Sequence, residues 1–292
     1  MTSPASRLRG TLPRRTRRLL ANGLMWACAT LCAAAALVPL GFLLYYVAAQ
    51  GLPAIGLAFF TQVPKPVGEP GGGMANAIVG TLILIGLASL VGLPIGLLGG
   101  IYLAEFGSNR LGAAIRFSAD VLSGVPSIVI GIFVYALVVV PMHRFSALAG
   151  GLTLGVMMIP TVMRTSEELI RLVPTSLREA ALALGATRPV TVFRVVLLAA
   201  RAGLVTGVLL AIARVAGETA PLLFTAFGSG LWSTRLDEPI ASLPVQVFTY
   251  AISPYRDWQA QAWAGALVLV TIVLILSAAA RYATRGRFRT VM

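Results

Sequence analysis

The stretch Ala213–Thr225, ARVAGETAPLLFT, places an arginine and a glutamate inside an otherwise apolar run. Arg214 and Glu218 are one helical turn apart, so they could form an ion pair on a continuous helix. Three residues after the glutamate, Pro221 lacks an amide hydrogen and would leave the carbonyl of Gly217 unbonded. The stretch therefore predicts a helix that kinks or opens beside Glu218.

The composition around this stretch is that of a membrane protein. Hydrophobic residues make up 58% of the 292 residues, charged residues only 11%, and the mean hydropathy is +0.87. Soluble domains contain about 45–50% apolar and about 25% charged residues. Backbone groups in lipid must be satisfied within the protein, and the apolar runs lack the alternation of a β-barrel. We therefore predict an all-α, multi-pass membrane protein.

Six runs reach the length of about 20 mostly apolar residues that a helix needs to cross the hydrocarbon core. The predicted spans are Leu24–Ala48, Ala75–Ala104, Phe117–Val140, Ser146–Met163, Leu204–Phe227 and Gln261–Ala280. They place one transmembrane domain over residues 21–281, between basic tails at residues 1–20 and 282–292.

Lysine and arginine are distributed unevenly between the two sides that six alternating spans define. Eighteen of the 23 lie on the side of the two termini, four lie on the other side, and the last is Arg214. This asymmetry predicts that both termini are cytoplasmic. Basic residues beside membrane spans already face anionic lipid, so the net charge of +13 indicates a bilayer and no nucleic-acid partner.

The inner segment of residues 164–201 is predicted to contain a short helix. Ser176 and Glu179 have the S-x-x-E spacing of a capping box, which indicates a helix start. Gly185 is a natural residue to end that helix, and Pro189 to open the next one. At about 13 Å, the short helix cannot cross the bilayer and should lie at the cytoplasmic surface.

The residues of this short helix leave two interpretations open. It could be an amphipathic connector in the lipid interface, with Leu177, Ala181 and Leu184 on one face. Alternatively, the small residues Ala180 and Ala181 could let the surface of another protein approach the backbone.

A resemblance favours the second interpretation. The run EAALALGA, beginning at Glu179, resembles the EAA motif of permease subunits in bacterial ABC importers. The runs VTGVLLAIARVAGETAPLLFTA, LWST, PIASLPVQVF and SPYRDWQAQAWAGAL resemble the A-type permease subunits of phosphate importers, as do NAIVGTLILI, GIYLAEF and PSIVIGIFVY. The resemblance covers about Met74–Arg281. It departs from the general importer pattern at Leu197-Leu198, where Leu-Pro is common, but the phosphate branch shares this feature.

The resemblance implies a permease subunit of an ATP-driven inorganic phosphate importer in the bacterial inner membrane. The implied partners are an ABC ATPase dimer, a homologous C-type permease subunit and an external phosphate-binding protein. The outer segment Gly228–Ala260 is the expected docking region for the binding protein. The implied contacts with the ATPase are Glu179, Ala180, Ala181, Leu184 and Gly185.

This chain is expected to bind no cofactor, with ATP held by the partner ATPase. A phosphate-cradling P-loop requires a lysine after its glycines. The only lysine is Lys65, between two prolines in a predicted outer loop, so the chain cannot supply that motif. It also shows no nucleophile with a base and no metal-binding cluster, so we expect no catalytic or metal site.

The expected translocation pathway is lined by Arg214, Glu218 and Pro221. In one interpretation, the arginine is a transient partner for phosphate and the glutamate neutralises it at rest. In the other, the two form a structural ion pair that fixes packing between subunits. Asp120, near the cytoplasmic end of the third span, either belongs to the pathway or pairs with Arg116.

Two alternative functions remain open. The chain could be a permease for another oxyanion, such as sulfate or molybdate, or a self-sufficient ion-coupled transporter. Against the latter, Asp120 and Glu218 are the only acids expected within the spans, which leaves little to carry a coupling proton.

Overall fold

A computed structural model describes residues 12–69 and 71–285, which are predominantly helical and contain no β-strand. The all-α prediction is therefore confirmed for the described part of the chain. The predicted tails at 1–20 and 282–292 lie partly outside the described residues. Two compact units are present, one ending at Ala49 and the other beginning at Gln50.

The described part of the first unit is one long helix. Helix α1 (Leu12–Gly51) has 40 residues and ends two positions beyond the unit boundary. At 1.5 Å per residue it is about 60 Å long, about twice the thickness of the hydrocarbon core. It contains the predicted first span, and its most apolar window has no buried residues.

The second unit contains the remaining helices. They are α2 (Leu57–Thr61), α3 (Ala75–Glu105), α4 (Arg110–Gly124), α5 (Ser127–Met142), α6 (Ala147–Arg171), α7 (Thr175–Ala183), α8 (Arg188–Ala216), α9 (Ala220–Thr225), α10 (Leu243–Ala251) and α11 (Arg256–Arg285). Short π-helical turns lie within α5 and α8. Helices α1, α3, α6, α8 and α11 are long and apolar enough to cross a membrane, and the bent pair α4–α5 makes a sixth candidate.

The prediction of a continuous third span was wrong. Helices α4 and α5 meet at a bend of 102°, and Val125 between them is extended, with φ −71° and ψ 130°. The cause is Pro126, whose ring disfavours a helical conformation for the preceding residue. Hydropathy alone does not register this interruption, because both halves are apolar.

The helix at the fifth predicted span begins and ends earlier than Leu204–Phe227, at Arg188 and Ala216. Helix α6 continues to Arg171, and α8 begins at Arg188, so only residues 172–187 lie between the two long helices. Much of the predicted inner segment, residues 164–201, is thus continuous with the two long helices. Arginines do not terminate a helix, since their intrinsic helix propensity is high.

Helices α3 and α6 approach each other closely along a line of glycines. Gly92, Gly96 and Gly100 are buried on α3 at four-residue spacing, the small-residue pattern of membrane helix pairs. A Cβ atom on Gly96 would lie 2.7 Å from the Cβ of Val162, and one on Gly92 would lie 2.8 Å from the Cβ of Met158. The two helices therefore pack with backbone against side chain.

The predicted outer segment, residues 228–260, is folded onto the helices. Leu243, at the start of α10, is fully buried, and its amide donates a hydrogen bond of 2.8 Å to the hydroxyl of Thr81 in α3. The side-chain amide of Asn76 donates to the carbonyl of Ser229 at 2.8 Å. These contacts secure the segment to the first turns of α3.

We predict that Gly96→Ala destabilises the α3–α6 pair, because the added methyl group has no space beside Val162. Overpacking of this kind costs about 1–3 kcal/mol, which should lower the thermal unfolding midpoint of the purified complex. Gly86→Ala on the same helix is the matched control, since a Cβ there meets nothing within 4 Å. Equal midpoints for the two variants would contradict the packing argument.

Candidate translocation cavity and docking helix

Two interrupted helical segments and the continuous helix α6 meet around a cavity of about 190 Å³. The bend between α4 and α5 forms one side, the end of α8 forms another, and α6 contributes a stretch that contains a proline. The polar or helix-breaking residues of the lining are Ser123, Ser127, Pro160, Thr161, Arg214 and Glu218. One water needs about 10–15 Å³ of such space, so the cavity has room for several waters or a small ion.

Arg214 reaches this cavity from the last turn of α8, and its side chain is exposed in this chain. The final carbonyls of a helix carry partial negative charge, which stabilises a cation in that turn. The arginine thus has a source of electrostatic stabilisation that leaves its guanidinium available to the cavity.

The predicted pair between Arg214 and Glu218 is absent from the described residues, where no ion pair within 4.0 Å joins them. The opening of the helix beside Glu218 is confirmed, because α8 ends at Ala216 and the next three residues are not helical. This break also explains the missing pair. Residues four apart face each other only on a continuous helix.

Pro221 lies next to the cavity but is not part of its lining. It is buried in the first turn of α9, where it packs against Gly131 of α5. A Cβ atom on Gly131 would be 2.7 Å from the Cα of the proline. Pro221 therefore positions α9 against α5 and marks the helix opening, with no direct contribution to the cavity wall.

Three hydroxyl groups in the lining were missed by the sequence analysis. Ser123 and Ser127 stand on either side of the α4–α5 bend, and Thr161 follows Pro160 in α6. Their side chains make no hydrogen bond within the described part of the chain. Ser127 also begins α5, and the amides of a first helical turn favour anions. A hydroxyl directly after a proline is the sequence signal that could have identified Ser127 and Thr161, whereas Ser123 lies three residues before Pro126.

Asp120 lies outside the cavity and does not pair with Arg116 as predicted. Its carboxylate forms an ion pair of 2.8 Å with the guanidinium of Arg164 in α6, and about half of the Asp120 side chain is exposed. Arg116 points away from it, towards Glu167 and the backbone at the end of α3. The i, i+4 spacing would allow Arg116 to pair with Asp120 within α4, but Arg116 instead pairs with the more buried carboxylate of Glu167.

Glu167 is the centre of an ionic cluster at the end of the bundle that carries α7. Its side chain is 3% exposed and forms ion pairs with Arg116 at 2.6 Å, Arg171 at 2.8 Å and Arg164 at 3.7 Å. Arg116 and Arg171 also donate to the carbonyl of Leu103 in α3. Glu167 is a buried acid that the sequence analysis did not single out, because it lies beyond the predicted end of the fourth span and its burial depends on α6 continuing to Arg171.

The short inner helix α7 was predicted correctly in its existence and in its end. Gly185 has a left-handed φ of +83°, and the last turn closes with the two backbone hydrogen bonds of a Schellman motif. The capping box was wrong, because the helix begins at Thr175 and its N-cap residue, Pro174, provides no side-chain bond. Ser176 is thus already inside the helix, where it cannot act as the cap.

Four of the five predicted docking residues are accessible on α7. Glu179, Ala180, Leu184 and Gly185 are exposed, whereas Ala181 is buried against the bundle. Leu184 is 89% exposed, so its whole side chain is accessible to another surface. These four exposed residues consist of one acidic side chain, one leucine and two small residues.

Arg178 fixes α7 to the ends of two long helices. Its guanidinium contacts the carboxylate of Glu105 in α3 at 2.7 Å and donates to the carbonyl of Ile170 in α6 at 2.9 Å. Both charged side chains are largely buried. The sequence analysis treated this arginine only as one of the inner positive charges, since its partner lies 73 positions away.

The opposite end of the bundle carries a second, more exposed group of charges. Asp237 contacts Arg144 and Arg235, each at 3.2 Å. Hydrogen bonds from Arg235 hold the pKa of the Asp237 carboxyl below its usual range. Nearby, Trp258 stacks on Tyr250 with ring centroids 4.4 Å apart.

Comparisons with known proteins agree with this architecture. Residues 96–289 match the family described as "Binding-protein-dependent transport system inner membrane component". The phosphate transport system permease protein PstA of Yersinia pestis is 47% identical over 82% of each chain. PstA of Haemophilus influenzae is 43% identical over 87% of this chain and 86% of its own. The MetNI methionine ABC transporter shares the fold, with a TM-score of 0.57, 19% identity and coverage of 72% of this chain and 92% of its own.

These matches assign the multi-pass helical chain to the class of membrane permease subunits. The chain belongs to the binding-protein-dependent transport system inner membrane components and, within them, to the PstA permease family. The resemblance identified from the sequence is thus confirmed. The chain is a multi-pass inner-membrane protein, and it is a transport component rather than an enzyme.

We predict that Glu167→Gln strongly destabilises the protein, because it leaves three arginines around a neutral side chain. Breaking a buried ion pair costs about 3–5 kcal/mol, equivalent to a fall of about 10 °C in the thermal unfolding midpoint. Glu168→Gln is the matched control, since that neighbouring side chain is exposed. A Glu167 variant as stable as the control would show that the cluster has no structural role.

We also predict that Arg178→Ala loosens α7 while the long helices stay folded. Loss of hydrogen bonds to a charged group, about 1.5–3 kcal/mol, should raise amide hydrogen exchange in α7 about tenfold or more. Arg188→Ala serves as the comparison, because Arg188 is exposed and forms no ion pair within the described residues. Unchanged exchange in the Arg178 variant would contradict the anchoring role.

Proposed function

We propose that this chain is the A-type permease subunit of an ATP-driven importer of inorganic phosphate. The observation that carries the proposal is the cavity where the interrupted helices meet, with the unpaired Arg214 and Glu218 in its lining. The names of its relatives, phosphate transport system permease proteins, support phosphate as the substrate. A homologous C-type permease subunit would complete the pathway around this cavity.

The charges of the cavity suit transient binding of an anion. Arg214 supplies a positive charge that no carboxylate in the described part of the chain neutralises within 4.0 Å. Glu218 adds a negative charge to the same lining and limits the strength with which an anion is held. A transport pathway requires this balance, because an anion bound too tightly would not leave the site.

Helix α7 is the proposed contact for an ABC ATPase dimer, through Glu179, Ala180, Leu184 and Gly185. Arg178 joins α7 to the ends of α3 and α6. Helix α6 also contributes Pro160 and Thr161 to the cavity. Movement of α7 by the ATPase would therefore reach the cavity through a continuous helix. This chain binds no cofactor in the proposal, and ATP is bound and hydrolysed on the partner.

The proposed orientation has both termini and α7 in the cytoplasm. It is supported by the excess of arginine on that side and by the need of an ATPase for soluble nucleotide. The end with Asp237 and Trp258 then faces outwards, where an external phosphate-binding protein would dock. The surrounding apolar helices contact the lipid bilayer, and no nucleic acid is involved.

The first test is uptake of radiolabelled phosphate at limiting concentration in cells with the gene intact or deleted. We expect deletion to remove an ATP-dependent phosphate component and to leave sulfate uptake unchanged. Loss of sulfate uptake alone would overturn the substrate assignment. A deletion-sensitive flux that persists after ATP depletion would indicate a self-sufficient transporter.

The second test is Arg214→Gln in the otherwise intact importer. We expect normal assembly and at least about tenfold slower phosphate uptake, because one charge contact is lost at the transit site, a change of about 1.4 kcal/mol. Arg201→Gln is the control, since Arg201 is exposed on the same helix and does not line the cavity. Failure of the Arg214 variant to assemble would favour a structural role instead.

A further inference from the structure

We propose that Glu218 selects protonated oxyanions in the cavity by accepting a hydrogen bond from them. The selected class contains hydrogen phosphate and dihydrogen phosphate, and the rejected class contains fully ionised tetrahedral anions such as sulfate. This inference rests on the proposed function of the cavity and adds to it a residue that discriminates between substrates of the same shape.

The first supporting observation is that the Glu218 carboxylate has no partner of its own. It lines the cavity, is half-buried, and makes no hydrogen bond or ion pair within residues 12–69 and 71–285. The break after Ala216 prevents the pair with Arg214 that the spacing would otherwise allow. An ionised carboxylate only accepts hydrogen bonds, so a ligand must offer it an O–H or N–H group.

The second observation is that the other polar groups of the lining can donate. Arg214 is a donor only, while Ser123, Ser127 and Thr161 have hydroxyls that are not engaged in the described structure. A site composed only of such donors would hold any small tetrahedral anion. Glu218 is the one acidic side chain in this lining, so it is the group that can distinguish such anions.

The chemistry of the two anions provides the distinction. Phosphate keeps at least one proton at neutral pH, so one oxygen can donate to Glu218 while the others accept from Arg214 and the hydroxyls. Sulfate has the same shape but no proton at this pH. Its oxygens would face the carboxylate as like charges, and the carboxylate would remain without a donor.

The expected size of the effect follows from the openness of the site. A closed site that hydrogen-bonds a substrate hydroxyl rejects the analogue without it by about 10⁴–10⁵-fold. Water can partly replace the missing donor in an exposed cavity, so we expect at least about tenfold discrimination. If Glu218 served only as a counter-ion of Arg214, its removal would strengthen the binding of all anions equally.

Occupancy of the cavity can be measured without the external binding protein and without transport. The variant Val125→Cys places a thiol in the lining, in a background where Cys28 and Cys32 are replaced by serine. Inverted membrane vesicles carry the assembled importer and lack the binding protein. The rate of thiol labelling on this chain is then measured against phosphate, arsenate or sulfate concentration. Met157→Cys, also in the lining, is the second probe position if the first variant does not assemble.

With Glu218 present, we expect phosphate and arsenate to slow labelling at concentrations at least about tenfold lower than sulfate requires. In Glu218→Gln, sulfate should protect as well as phosphate, because the amide can donate to an unprotonated oxygen. Glu218→Asp should retain discrimination, since the acceptor is kept. Glu69→Gln, which removes an exposed charge outside the cavity, should behave like the parent.

Two kinds of result would overturn the inference and leave the cavity in place as the transit site, whereas a third would reject the proposed function on which the inference rests. Discrimination that persists in Glu218→Gln, or that is lost equally in the Glu69 control, would exclude Glu218 as the selecting group. Equal protection by phosphate and sulfate in the parent would show that the cavity does not discriminate. Absence of protection by any anion at both probe positions would reject the cavity itself as the transit site.

Discussion

Backbone amides and carbonyls in apolar surroundings must find hydrogen-bond partners, and this requirement limits where a membrane helix can be interrupted. In this chain, the bend between α4 and α5 and the end of α8 both lie at one cavity, beside Pro160 of α6. The non-helical backbone therefore lies where protein, water or a ligand can form hydrogen bonds with its free amides and carbonyls. The polar side chains of the cavity are available because the helices that carry them stop or bend there.

Arg116 and Arg178 have environments that differ physically from that of Arg214. Arg116 and Arg178 combine a buried or nearly buried carboxylate with backbone carbonyls, and they join α4 and α7 to α3 and α6. Arg214 has neither kind of partner in the described structure and lies at the carbonyl end of α8. These two charges hold the end of the bundle that carries α7 in place. The free charge of Arg214 is exposed to the cavity, so the structural role that burial and pairing give to Arg116 and Arg178 does not apply to it.

Local features of the sequence predicted much of this structure. The bounds of α3, the end of α7 at Gly185 and the opening beside Glu218 depend on hydropathy, a left-handed glycine and a proline, all of which act within a few residues. The errors arose where distant residues decide the outcome. Arg116 prefers Glu167, 51 positions away, over its helical neighbour. The pair expected between Arg214 and Glu218 failed because spacing along the chain does not reveal where a helix has already ended.

The glycine contact between α3 and α6 has a mechanical consequence. Where a layer of flexible side chains separates two helices, the helices can slide as rotamers adjust, but Gly92 and Gly96 lie directly against Met158 and Val162. Sliding would drive the backbone of one helix over the branches of the other. The two helices therefore move as one stiff unit, and in the transport cycle proposed above the helices around the cavity would change shape at the α4–α5 bend and the α8–α9 break.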